Sequence, residues 1–165
     1  MTTTPNAVLA GTIRCTSTSG ALFLLLMGLG SALVGQNVRA WGDNSYGQCN
    51  LPALASHVEV AAGGYHTLAR QGDGTVLAWG RNIEGQCNVP PLPAGLSYVE
   101  VDGGNRHTVA RCSDGTVVAW GSNTDGQCNV LALPAGLSYV EVAAGAYHTV
   151  ARRSDGTVVA WGANS

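Results

Sequence analysis

Charge is scarce in this sequence: eight basic and ten acidic side chains are spread over 165 residues, for a net of −2. The basic residues are scattered, so the basic stripe that a nucleic-acid backbone demands is missing and that class of partner is set aside. Catalytic signatures are missing as well. There is no G-x-S-x-G elbow, no phosphate loop and no H-E-x-x-H, and nothing sets an activated nucleophile beside a base. No catalytic residue, metal site or cofactor is expected. Long apolar runs are also absent: Ala21 to Val34 carries no charge but has only 14 residues, short of the ~20 that span a membrane. Glycine, by contrast, is abundant at 23 residues, beside plentiful Leu, Val and Ala. Low charge with high apolar content argues against disorder, and the glycines suit tight turns between short strands. The length is that of one ordinary domain with one continuous core.

The first 35 residues differ in kind from the rest. Met1 to Gly20 is polar and rich in Thr and Ser, with Arg14 its one basic side chain. The apolar run follows, and Gly30-Ser31-Ala32 supplies small residues near its end. This is the layout of a secretory signal, so 1–35 is taken as an export leader and the protein as secreted. A membrane anchor, a buried strand and a start that is not the natural one are the other readings; without export the protein is cytoplasmic. Cys15 precedes the run and no Cys follows it closely, which leaves no lipid-attachment reading.

The remainder, 36–165, is repetitive. Trp41, Trp79, Trp120 and Trp161 stand 38, 41 and 41 residues apart, and His66, His107 and His148 recur every 41. Thr75 to Gly115 and Thr116 to Gly156 agree at 30 of 41 positions without a gap. Framed on these matches, the units are 37–74, 75–115 and 116–156, with a partial unit over 157–165. Self-similarity at a period near 40 marks propellers and arrays, in which one unit cannot bury its own apolar face.

Inside a unit the period is two. Tyr98-Val99-Glu100-Val101 alternates as a half-buried strand does. His107 to Arg111 reads as a second strand, Ser113-Asp114-Gly115 as the turn, and Thr116 to Trp120 as a third strand. The Asp-Gly pair recurs at 73–74 and 155–156. The fold class is therefore all-β, with short antiparallel strands in propeller blades. The Pro-containing stretches 88–95 and 129–136 read as exposed connections.

Two segments carry a more specific resemblance. Ala119-Trp120-Gly121-Ser122-Asn123-Thr124-Asp125-Gly126-Gln127 and Val142-Ala143-Ala144-Gly145-Ala146-Tyr147-His148-Thr149-Val150-Ala151 follow the pattern AWGxNxxGQ and AAGxxHxxA, which occurs nearly whole three times. In the second unit Asp102-Gly103-Gly104 replaces the double Ala. The pattern resembles the repeat of the regulator of chromosome condensation family, in the short form seen in bacterial relatives and in propeller-type β-lactamase inhibitor proteins. That resemblance implies a propeller, usually of seven blades, so this chain is expected to be an incomplete one. Its open strands at Asn37 to Trp41 and Thr157 to Trp161 are then sites of self-association.

The repeated residues have structural readings. The three His residues are expected to bond backbone in the neighbouring turn, since a zinc site needs ligands converging within about 2 Å of one ion. Cys49, Cys87 and Cys128, inside Gly-Gln-Cys-Asn, are expected to be free thiols. The Trp residues read as wedges between blades, and Glu59, Glu100 and Glu141 as strand-surface positions. Residues at which the units disagree point to binding. Arg81, Ile83 and Glu84 stand opposite Ser122, Thr124 and Asp125, and Arg106 opposite Tyr65 and Tyr147. Tyr65, Arg81, Glu84, Arg106 and Tyr147 are the expected partner-binding residues, an aromatic and basic surface of the kind enriched at interfaces. The function expected is a non-catalytic protein-binding or scaffold module. The resemblance also implies guanine nucleotide exchange on a small GTPase, and the short blades an enzyme-inhibitor module.

Overall fold

A computed structural model of the chain describes residues 38–53 and 57–164, and the backbone of Ile13–Arg14 and Phe23–Leu24. The expected leader over 1–35 otherwise lies outside the described residues. The described strands form antiparallel three-stranded sheets, each in simple sequence order. The first sheet joins β1 (Ile13–Arg14), β2 (Phe23–Leu24) and β3 (Ala40–Trp41). Three longer sheets follow: β4 (His57–Ala62), β5 (His66–Gln71) and β6 (Val76–Gly80); β7 (Tyr98–Gly103), β8 (His107–Cys112) and β9 (Val117–Gly121); β10 (Tyr139–Ala144), β11 (His148–Arg153) and β12 (Val158–Gly162). We call these three sheets blades 1, 2 and 3.

Blade and sequence unit are out of phase by one strand. Thr116 to Trp120 closes blade 2 instead of opening a new unit. The stretch from Thr157 to Trp161 is accordingly no open strand: β12 pairs with β11 from Arg152↔Val158 to His148↔Gly162. Trp41 likewise pairs with Phe23. The expectation of two unpaired strands is corrected on both counts: each pairs along one side and forms the edge of its sheet.

The hairpin turns form as their Asp-Gly pairs dictate. Asp114 Oδ1 accepts the Thr116 N–H at 2.9 Å, and Gly115 takes a φ of +80°, which an L side chain adopts only with strain. The first strands depart from plain alternation. Tyr98 and Val101 are buried while Val99 and Glu100 are half-buried. The cause is a bulge between Tyr98 and Glu100, whose extra residue shifts the side-chain sequence by one. The same irregularity recurs at His57/Glu59 and Tyr139/Glu141.

Among the described residues neighbouring blades stack sideways without closing into a ring. β7 packs on β4 and β5, and β10 on β7 and β8. The core therefore lies between blades. Leu68 and Val76 of blade 1 meet Tyr98, Val101 and Trp120 of blade 2; Val109 and Val117 of blade 2 meet Tyr139, Val142 and Trp161 of blade 3. Full burial of each such aliphatic side chain contributes about 1.5–3 kcal/mol. A blade alone would expose this surface, which is why the unit has to repeat.

Candidate functional site

The residues common to all units build the joints. His66 is fully buried, and its Nε2 lies 2.8 Å from Thr108 Oγ1 in the next blade. The Thr108 hydroxyl donates its own proton to the Gln86 carbonyl at 2.9 Å. It must therefore accept from His66, which fixes a neutral ring with the proton on Nε2. His107 and Thr149 repeat the arrangement at 3.1 Å, with Gln127 O accepting from Thr149 at 2.8 Å. Trp120 and Trp161 donate Nε1–H to the same two carbonyls at 3.0 Å. Burial, reinforced by the next histidine, holds His66 and His107 down to about 4. The sequence suggested a backbone partner for these rings; the structure gives them a threonine hydroxyl. The close seat explains a glycine. A Cβ on Gly104 would come within 2.7 Å of Gly145 O and collide with the His107 ring. His148, at the same place in blade 3, is exposed.

The Gly-Gln-Cys-Asn segment ties its own loop. Asn82 Oδ1 accepts the Cys87 N–H at 2.8 Å, Gln86 Oε1 accepts from Glu84 N at 3.1 Å, and the Cys87 thiol donates to Arg81 O at 3.3 Å. Burial pushes the Cys87 and Cys128 thiols up to about 11. Cys49, Cys87, Cys112 and Cys128 are all free. Glu59, Glu100 and Glu141 pair across strands with Arg70, Arg111 and Arg152 at 2.7–2.9 Å, so each repeated acid has a repeated base. Among the described residues no group of three or more His, Cys, Asp or Glu could hold a metal ion.

The variable residues gather elsewhere, on the strip where the loops after β3, β6 and β9 meet the turns that precede β5, β8 and β11. Main-chain bonds fasten each loop to its turn: Arg81 N to Tyr65 O at 2.9 Å, and Ser122 N to Arg106 O at 2.8 Å. One loop position and one turn position face each other across the first two joints, and their chemistry changes from one to the next. At the first, Tyr46 and Tyr65 stand edge to face, with centroids 5.7 Å apart. At the second, Glu84 meets Arg106, Oε1 to Nη1, at 3.7 Å. The third places Asp125 and Tyr147 at the equivalent positions.

Further contacts join these pairs into one network. The Arg81 guanidinium lies over both Tyr46 and Tyr65, 5.7 Å from each centroid, and pairs with Glu84 through Nη1 and Oε2. This partner is the main cause of the raised Arg81 pKa. Asn105 donates Nδ2–H to the Tyr147 hydroxyl at 3.1 Å. All five residues expected from the sequence therefore lie on one strip, four of them in direct mutual contact and Tyr147 tied to the residue beside Arg106. Exposure is uneven. Arg81 is largely covered, whereas Arg106, Tyr147 and Ile83 are open to solvent.

Two members of the strip are missing from the expected set. Tyr46 stands where later units have Glu84 and Asp125, so its aromatic character is visible only once the first loop is aligned with the others. Asn105 differs between units, but its link to Tyr147 spans a joint. Asp102 also crosses a joint: its carboxylate accepts from Gly103 N and, in the next blade, Ala144 N, each at 2.8 Å. Burial raises its pKa. It substitutes a bridge for the alanine of the neighbouring units.

Stacked three-stranded blades, with shared residues in the joints and variable ones along one strip, define a propeller-type repeat protein. The chain belongs to the Regulator of chromosome condensation (RCC1) repeat family, whose model matches 58–86, 98–127 and 139–165. No curated protein matches the sequence significantly. Solved structures with the same fold include Prp20p from Saccharomyces cerevisiae, with a TM-score of 0.68 and 19% identity over 96% of this chain and 47% of that one. Human WBSCR16 gives a TM-score of 0.65 and 22% identity over 87% and 45%. The ectodomain of the Physcomitrella patens receptor kinase CR4 gives 0.64 and 22% over 87% and 38%. The chain thus spans less than half the length of these proteins.

Proposed function

We propose that this chain is a non-catalytic protein-binding module whose partner meets the strip formed by Tyr46, Tyr65, Arg81, Glu84, Arg106 and Tyr147. The observation that carries this reading is the separation of labour between positions. Shared residues build the buried joints and the loop turns, while a group of the residues that differ gathers at the surface end of the joints on one strip. Tyr and Arg dominate that surface, the residue types that most often anchor interfaces. Structural kinship supports a protein partner: Prp20p has been studied for its binding properties to Gsp1p and histones, and yeast RCC1 (Prp20) has been seen bound to Kap60. A photo-crosslinking residue at Tyr147 should trap a discrete partner in cells, and the same residue at Ser154 should not. Equal labelling from both positions, or none from either, would remove the reading.

The kinship with Prp20p favours one second reading, guanine nucleotide exchange on a small GTPase. Its test is the release of fluorescent GDP from purified GTPases, with and without the chain; unchanged rates would end it. The inhibitor reading rests on blade length alone and is carried no further. Secretion depends on reading 1–35 as an export leader. N-terminal sequencing of the mature protein decides it: a start near Gln36 supports export, and an intact Met1 supports a cytoplasmic protein.

A further inference from the structure

We infer that Arg106 is the anchor of the strip and that it receives a carboxylate of an acidic peptide segment; this rests on the protein-binding reading above and narrows it. The case comes from comparing the arginines. Arg70, Arg111 and Arg152 each hold a carboxylate oxygen at 2.7–2.9 Å through Nε. Arg81 holds Glu84 and is covered by two tyrosine rings. Arg106 alone on the strip is left with a loose contact, 3.7 Å, to a carboxylate that Arg81 and the Gln86 amide already engage. One negative charge is thus shared by two guanidinium groups, and the less satisfied of them is the one half open to water.

The surroundings favour a carboxylate over other anions and over a purely apolar ligand. The other acids of the strip are already engaged: Asp43 accepts from Ser45 and Gln48, and Asp125 from Thr124. Among the described residues neither of these acids pairs with an arginine, so the strip as a whole carries no surplus of positive charge of the sort that binds phosphate-rich polymers. Its solvent-accessible positive charge is that of Arg106, a planar fork of the shape that takes a carboxylate through two parallel hydrogen bonds. Exposed apolar groups belong to the same loops and turns: Ile83, 77% exposed and next to Glu84 in the chain, and Tyr147, 50% exposed and bonded to Asn105. A cation on a strip that also exposes apolar groups fits an Asp or Glu flanked by aliphatic or aromatic residues. The backbone that carries the fork is fixed, because the Arg106 carbonyl accepts from Ser122 N and the Asn105 N–H donates to Ala146 O, so only the side chain itself is left to order. Little ordering is left for the partner to impose.

The test uses the full 165-residue chain and a peptide-display library of random 12-residue segments, selected at low salt. Enrichment of Asp or Glu beside an apolar residue is the expected result. Synthetic versions of the selected peptides should bind R106Q at least about tenfold more weakly and R106K several-fold more weakly, since lysine keeps the charge but not the fork. R152Q, which alters an equally exposed arginine on β11, should bind as the parent does. Replacing the peptide carboxylate by its amide should mimic R106Q on the parent chain and have no further effect on R106Q itself. Selected peptides that depend on Ile83 and Tyr147 but not on Arg106 would overturn the inference and leave the wider reading standing. If binding survives I83D, Y147D and R106Q alike, both fail.

Discussion

Removing one hydroxyl from a joint should cost far more where a histidine points at it than where none does. Thr67, Thr108 and Thr149 are all fully buried, and each donates to a glutamine carbonyl that also accepts from a tryptophan. Thr108 additionally accepts from His66. Thr67 has no counterpart of that bond, because no histidine occurs before His57 in the sequence. Valine is nearly isosteric with threonine. In T67V the Gln48 carbonyl loses one donor and keeps Trp79 Nε1 at 3.0 Å, so about 1 kcal/mol is expected, the net worth of one hydrogen bond. In T108V the Gln86 carbonyl loses the same bond, and the buried His66 N–H is also left without an acceptor. That orphan adds about 1–3 kcal/mol, for a total near 3 kcal/mol. With a urea slope of about 1–3 kcal/mol/M, the two variants should differ in midpoint by roughly 1 M. Tryptophan fluorescence can follow both unfolding curves. Equal midpoints for T67V and T108V would refute the assignment of the histidine proton.

The joints should also weaken in mild acid. His66 and His107 titrate near 4 when folded and near 6.5 when unfolded, so the unfolded chain binds more protons and stability falls as pH drops from about 6.5 to 4. Each histidine contributes at most about 3 kcal/mol to that loss. Asp102, whose pKa is raised, acts in the opposite sense and offsets a part; a urea midpoint that stayed flat between pH 7 and 5 would contradict the buried neutral rings. G104A should cost more than G95A. Both positions tolerate no ordinary side chain at no cost, but a Cβ at Gly95 meets only backbone strain at φ +87° with nothing within 4 Å, whereas at Gly104 it strikes the His107 ring and Gly145 O. About 1 kcal/mol is expected for the first and 3 kcal/mol or more for the second, read from the same unfolding curves.

Much of this architecture is legible in the chain itself, for identifiable reasons. Trp and Asp-Gly spacings report strands and turns because each depends on local backbone chemistry, and the 41-residue period reports that the units stack. The phase of the blade was less accessible. A repeat can be cut at any residue, and only strand pairing shows that β12 completes blade 3. The partner of the histidines was misassigned for a related reason. The threonine sits directly after the histidine in every unit, yet the pair that bonds is His66 with Thr108, two neighbours in space separated by 42 residues. Disagreement between units points to most of the strip's residues. Tyr46 is legible too once all three loops are compared, since it follows Trp41 by five residues as Glu84 and Asp125 follow Trp79 and Trp120, whereas the ion pairing of Glu84 with both Arg81 and Arg106 depends on three-dimensional adjacency.

The threading of each joint has an evolutionary consequence. Histidine, threonine, tryptophan and the glutamine carbonyl recur in both 41-residue units, and their bonds repeat at the same offsets, 42 residues from histidine to threonine and 22 from threonine to glutamine. A recombination that copied or excised 41 codons in frame would reproduce a complete joint at the seam, wherever the crossover fell. Array length can therefore change without inventing new contacts. Mutation is then free to act on the few loop positions that the joints ignore, so a duplicated blade begins life already folded and acquires its own surface afterwards.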